Sequence, residues 1–119
     1  MAKKILIVDD SLFMRSVLKD ILSDYVICEA ENGAQAEAQF AKEHPDLTLL
    51  DIIMPDGEEE GLRVLKSIKK KDHTAKVIMI TAVGQATILK ECQKIGALDY
   101  ITKPFDHENI AKTVSRALD

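Results

Sequence analysis

Four short apolar runs, each followed by a polar residue, constrain this chain more than any other feature. Lys4-Ile5-Leu6-Ile7-Val8 leads into Asp9 and Asp10, and Leu47-Thr48-Leu49-Leu50 leads into Asp51. Val77-Ile78-Met79-Ile80 leads into Thr81, and Tyr100-Ile101-Thr102 leads into Lys103. Runs this short, bounded by turn-forming and polar residues, fit strands better than helices. Three of them are nearly continuous in apolar residues, as in parallel strands covered on both faces.

Helical spacing fills the gaps. Apolar residues at 14, 17, 18, 21 and 22 predict a helix over Leu12 to Ser23, with Phe13 and Met14 in its core stripe. A short strand is expected near Tyr25 to Cys28. Asn32 with Gln35 fits a capping box, and the helix it opens must stop before Pro45. Its stripe is weak, mostly alanine with Phe40. Met54-Pro55-Asp56-Gly57 reads as a turn. Helices then follow from about Gly61 to Lys71, through Ile88, Cys92 and Ile95 to a terminal Gly96, and from a capping Asp106 through Ile110, Val114 and Leu118. Strand and helix therefore alternate through five β and five α units. Right-handed crossovers favour an α/β, doubly wound parallel sheet. The 119 residues make one domain, expected over 1–119, with no linker or repeat.

Composition narrows the functions. A net charge of −4 argues against a nucleic-acid surface. No apolar stretch approaches membrane-spanning length. Met1-Ala2-Lys3-Lys4 runs straight into a strand, with no export signal. The expected location is therefore the cytoplasm, with Cys28 and Cys92 as reduced thiols and Cys92 in the core. His44, His73 and His107 fall in surface-like contexts.

Parallel strands bring all five polar residues to the carboxyl edge of the sheet, where open α/β sheets bind ligands. If the strand order is 2-1-3-4-5, Asp9, Asp10 and Asp51 converge between neighbouring strands. Carboxylates about 5 Å apart repel by roughly 3 kcal/mol at an effective dielectric near 20. A cation removes that penalty, and an all-oxygen donor set selects a hard ion such as Mg²⁺, or Mn²⁺. A carboxylate can also attack phosphorus and form an aspartyl-phosphate. Asp51 is the candidate nucleophile, since Asp9 and Asp10 stand on the other strand as metal holders. Lys103 and the Thr81 hydroxyl can neutralise and hold a phosphoryl group. Taken singly, the same residues have plainer readings. Asp10 or Ser11 can cap the first helix, Thr81 can be a strand-end hydroxyl, Lys103 a solvated lysine, and Glu58-Glu59-Glu60 a solvated loop.

The constellation resembles the receiver domain of two-component response regulators, the CheY-like family. The matching pieces are Ile7-Val8-Asp9-Asp10-Ser11, Asp51-Ile52-Ile53-Met54-Pro55, Thr81-Ala82 and Lys103-Pro104-Phe105. The resemblance spans Ile5 to Leu118, and it is what implies the flavodoxin-like (βα)5 three-layer sandwich with order 2-1-3-4-5. It implies that Asp51 accepts a phosphoryl group from a histidine kinase. Asp10 and Asp51 would bind Mg²⁺ directly, Asp9 usually through water, and the main-chain carbonyl of Ile53 would complete the protein ligands. Thr81 and Lys103 would contact the phosphoryl group, and Tyr100 would be the aromatic switch, although it can equally be a half-buried strand aromatic. A Lys103–Pro104 cis peptide is common in the family. Partners would read the fourth helix, fifth strand and fifth helix, on a monomer or a phosphorylation-dependent dimer.

Two departures from the family pattern stand out. Aligning Gly61 with the family's glycine leaves two extra residues in the Asp56-to-Glu60 loop, which is also unusually acidic. The residues two after Asp51 and two after Thr81 are the apolar Ile53 and Val83, where the family modulates access of the attacking water.

Competing classes fit less well. A haloacid-dehalogenase-type phosphatase needs Asp-x-Asp after the first strand, where this chain has Asp9-Asp10-Ser11-Leu12. A flavodoxin-like cofactor binder needs a phosphate loop there. A scaffold receiver would not be expected to keep all five site residues. The Asp10 to Leu22 text looks like stand-alone chemotaxis regulators, with methylesterase receivers and sporulation-type relays as alternatives.

Overall fold

The computed structural model describes residues 2–82 and 84–119. Strands and helices alternate as β1 (Lys4–Val8), α1 (Leu12–Ile21), β2 (Val26–Ala30), α2 (Gly33–Glu43), β3 (Leu47–Asp51), α3 (Glu60–Lys71), β4 (Val77–Thr81), α4 (Ala86–Ile95), β5 (Asp99–Thr102) and α5 (His107–Leu118). The strands form one sheet in the order β2-β1-β3-β4-β5, and every neighbouring pair is parallel. This is the α/β flavodoxin-like arrangement.

Strand alternation divides the apolar interior in two. Leu6, Val8, Leu50, Val77 and Met79 face one side and meet Ala36, Phe40, Leu65, Ile68 and Cys92 of α2, α3 and α4. Ile5, Ile7, Leu49, Ile78 and Ile80 face the other and meet Leu18, Leu22, Ile110 and Val114 around α1 and α5. Both clusters are almost fully shielded from water, which fits continuous apolar strands with no solvent face.

The helix starts follow local hydrogen bonding. Ser11, Asn32 and Asp106 accept at their side chains from the backbone N–H three residues on, at 3.2, 2.8 and 2.7 Å. Gln35 accepts from the Glu31 N–H at 3.0 Å, one residue earlier than a capping box prescribes. Helix α2 ends at Glu43, with His44 left-handed at φ 48° ahead of Pro45. Gly96, at φ 122°, ends α4 while its N–H donates to Cys92.

Four expectations need correction. Helix α1 ends at Ile21, short of Ser23, and β2 is displaced to Val26–Ala30. Phe13 is not in the core stripe but 73% exposed, because the inward face of α1 runs through Arg15 and Leu18 toward the capping Leu22. Nor is the acidic loop wholly solvated. The Glu60 carboxylate lies over Gly33 and accepts from Arg63 Nε and Nη2 at 2.7 and 2.9 Å. Arg63 also reaches Glu37 at 3.2 Å, so the end of the loop is tied to α2.

The helices are anchored unequally. Helix α3 buries Gly61, Leu62, Val64, Leu65 and Ile68. Helix α4 buries Cys92 alone among its residues.

Candidate functional site

Register places the polar strand ends together. Val8 lies beside Leu50, so Asp9 and Asp51 emerge from adjacent strands, while Thr81 is paired with Thr102 just before Lys103. Carboxylate oxygens of Asp9, Asp10 and Asp51 all lie within 4.8 Å of one another. Asp9 and Asp51 are buried, and Asp10 is exposed at the mouth.

Lys103 crosses from β5 to this cluster. Its Nζ donates to Asp51 Oδ2 at 3.0 Å and stands 3.7 Å from Asp9 Oδ2. Asp9 Oδ1 accepts from the Ser11 N–H at 2.9 Å. Asp9 Oδ2 is buried and has no hydrogen bond among the described residues. One ammonium therefore serves a cluster of carboxylates and leaves a buried oxygen unmatched. Such a donor set, all oxygen and net negative, fits a hard divalent ion such as Mg²⁺.

The electrostatics agree with this. Burial pushes the Asp51 carboxyl up to about 6, with Asp9 adding to the shift. The Lys103 hydrogen bond and charge and the Ile53 N–H pull the other way without cancelling it. For Lys103, burial favours the neutral amine, but the hydrogen bond and charge of Asp51, aided by Asp9, outweigh it and raise the ammonium's pKa. The Lys103–Pro104 bond is cis.

Thr81 ends β4 only 4% exposed. Its hydroxyl donates to Gln85 Oε1 at 3.2 Å, with the Ala82 carbonyl at 3.4 Å. Ile53 follows β3 with 45% of its surface open. Tyr100 is 44% exposed on the edge strand. Val83 lies outside the described residues. Beside Lys103, an open groove of about 580 Å³ is lined by Phe13, Met14, Val17, Ala82, Pro104 and Phe105.

Two participants were not singled out from sequence. Arg15 is 8% exposed; its Nη1 donates to the Asp9 carbonyl at 2.7 Å and its Nε to Glu29 Oε1 at 3.0 Å. Lys19 reaches the other Glu29 oxygen at 3.1 Å. The signal was an arginine in phase with Leu18 and Leu22 on the inward stripe. The second is Gln85, 7% exposed, four residues after Thr81 and without a spacing that marks it as a site residue.

Comparison with known proteins points the same way. The family model for the response regulator receiver domain matches residues 5–115. The chemotaxis protein CheY of Bacillus subtilis is 43% identical, covering 100% of both chains. The sporulation initiation phosphotransferase F of the same organism is 38% identical over 99% of this chain and 95% of its own. Among solved structures, a CheY-like receiver domain protein from Methanospirillum hungatei superimposes with a TM-score of 0.93 at 30% identity, covering 100% of this chain and 95% of its own.

Proposed function

The chain belongs to the response regulator receiver family, and we propose that Asp51 is its phosphoacceptor, charged by a histidine kinase. The observation that carries this reading is the convergence of three carboxylates within 4.8 Å, with the Lys103 ammonium 3.0 Å from Asp51.

In the reaction, an Asp51 carboxylate oxygen attacks phosphorus in line with the departing imidazole. The O–P bond forms as the P–N bond of the phosphohistidine breaks, and the imidazole leaves with the electron pair. Asp9, Asp10 and Asp51, with the Ile53 carbonyl, would hold Mg²⁺, which supplies positive charge to the developing phosphoryl oxygens. Lys103 keeps its pairing with Asp51 until the acceptor oxygen is used and then faces the phosphoryl group. The Thr81 hydroxyl donates to another phosphoryl oxygen. The open groove lined by Phe13, Met14 and Phe105 offers the donor protein an apolar surface beside Asp51.

The output is a shift between two conformations. Movement of Thr81 toward the phosphoryl group leaves room for Tyr100 to turn inward, and the α4-β5-α5 face then presents a changed surface to a partner. Likeness to chemotaxis proteins along the whole chain supports a role in chemotaxis, in the cytoplasm. The comparable likeness to a sporulation phosphotransferase supports a second reading, as an intermediate in a longer phosphorelay. Residues 1–119 act as one receiver unit.

The test is intact mass after incubation with acetyl phosphate, in Mg²⁺ and in EDTA. One phosphoryl group is added only in Mg²⁺. Borohydride reduction of the adduct, followed by peptide sequencing, places homoserine at position 51. Labelling at another carboxylate, or labelling in EDTA, would overturn the assignment.

Ile53 governs the reverse step. Its exposed side chain cannot orient the water that attacks the acyl phosphate. Ile53→Asn supplies an amide there, and a net hydrogen bond worth ~1 kcal/mol corresponds to about a fivefold faster decay. Loss of labelled protein over time measures it, and an unchanged half-life would sink the idea.

A further inference from the structure

We infer that Gln85 is a positioning residue that holds the Thr81 hydroxyl in its resting orientation and so sets how readily the phosphoryl group recruits it. The inference rests on the phosphoacceptor reading above and deepens it.

Gln85 stands at the start of α4 and is 93% buried, given its 7% exposure. Its side-chain oxygen accepts twice, from the Thr81 hydroxyl at 3.2 Å and from the Ala82 N–H. Its amide nitrogen is buried with no hydrogen bond among the described residues. A buried amide with an unmet donor is costly. It is kept in place by what its oxygen holds, the two groups at the end of β4.

The Thr81 hydroxyl has one proton to donate. In the resting chain it goes to Gln85, or to the Ala82 carbonyl at 3.4 Å. When a phosphoryl group stands on Asp51, the proton is needed there, and the Gln85 contact must break. Gln85 is thus a competitor for the donor that the phosphoryl group uses. The Ala82 N–H remains bonded to Gln85 in both states and keeps the loop anchored while Thr81 turns. Removing the competing acceptor makes the active arrangement cheaper to reach.

Beryllofluoride, which occupies an aspartate as a phosphoryl mimic, provides the test. Its affinity at saturating Mg²⁺ is measured by titration calorimetry on four proteins: wild type, Gln85→Met, Thr81→Val and the double variant. Met matches the shape of Gln without the acceptor. Gln85→Met is expected to bind beryllofluoride roughly three- to tenfold more tightly, the worth of one net hydrogen bond. In the Thr81→Val background the same change has less than about a twofold effect, because no hydroxyl remains to be released. The loss of an acceptor for the Ala82 N–H is common to both backgrounds and cancels.

Unchanged or weaker binding by Gln85→Met, or an equal change in both backgrounds, would overturn the inference. Urea unfolding of the same four proteins without beryllofluoride separates the two levels. A non-additive loss for the pair supports the resting contact, and strict additivity overturns it. Wild type that binds no beryllofluoride overturns the phosphoacceptor reading, and with it the role of Gln85 in recruiting Thr81, whatever the unfolding data show of the contact.

Discussion

Asp51→Asn is expected to take up no phosphoryl group, and at pH 7 in EDTA to be more stable to urea than the wild type by about 1–3 kcal/mol. The first result follows from loss of the proposed nucleophile. The second follows from the electrostatics of the site. Burial, with Asp9 adding to it, raises the Asp51 pKa from 3.8 to about 6 despite Lys103. A folded carboxyl that binds its proton more tightly than the unfolded chain does is a destabilising group above its unfolded pKa. Between pH ~4 and ~6 the folded state carries the extra proton, so wild-type stability falls as pH rises through that window. Above it the full difference remains, at most about 3 kcal/mol for a shift near two units. Asparagine removes the titration, so the gap between variant and wild type opens over this interval and closes below it. Saturating Mg²⁺ narrows the gap at pH 7 by stabilising the wild type more than the variant. Urea midpoints followed by far-UV circular dichroism, at several pH values, measure all of this. A variant less stable than wild type at pH 7 in EDTA would show that the carboxylate is held favourably and that the site stores no repulsion.

Gly61→Ala is expected to have the largest effect on the fold itself, a loss of about 2–4 kcal/mol. At an ordinary helical position the same change gains up to about 1 kcal/mol. Here a methyl group would collide with the Asp51 carbonyl oxygen and stand 2.6 Å from Ile52 Cα and 2.7 Å from the Ile52 oxygen. All three obstacles are backbone, so no rotamer change relieves them. The Gly61 N–H also donates to the Ile52 carbonyl at 2.9 Å, which draws α3 against the end of β3. The added methyl must push α3 away from the strand that carries Asp51. Thermal unfolding measures the loss, and phosphoryl uptake is expected to fall with it because the backbone of the proposed acceptor shifts. A midpoint within about 1 °C of wild type would mean that the helix can retreat without cost.

The same glycine shows what was legible in the sequence and why. Aligned with the family's glycine, Gly61 implied that the loop before it was longer by two residues, and α3 does begin beside it, at Glu60. The strands β1, β3 and β4 were legible because short continuous apolar runs fit a sheet covered on both faces better than a helix. The acids at their ends converge because parallel strands share one carboxyl edge. Strand order came from resemblance, since apolar spacing is indifferent to which strands are neighbours. Phe13 was misplaced because a wide apolar stripe does not define its own centre, and the inward line proved to pass through Arg15. A buried arginine is intelligible only once the Asp9 carbonyl and Glu29 of β2 are seen around it. Glu60 was read as solvated because its partner Arg63 lies outside the acidic run, on the first turn of a helix. Gln85 needed the same kind of knowledge, that the turn after β4 folds its side chain back onto Thr81.

The unequal anchoring of the helices bears on how a signal could leave the site. Detaching α3 would expose Leu62, Val64, Leu65 and Ile68 together, whereas α4 has Cys92 as its one deeply set residue. In terms of local opening, α4 can shift at a lower free energy than α3 while the rest of the fold stays closed. A perturbation at the end of β4 therefore acts on the more weakly held α4 before it disturbs the α3 side. Shallow burial makes this helix a weak support and, for the same reason, a responsive one.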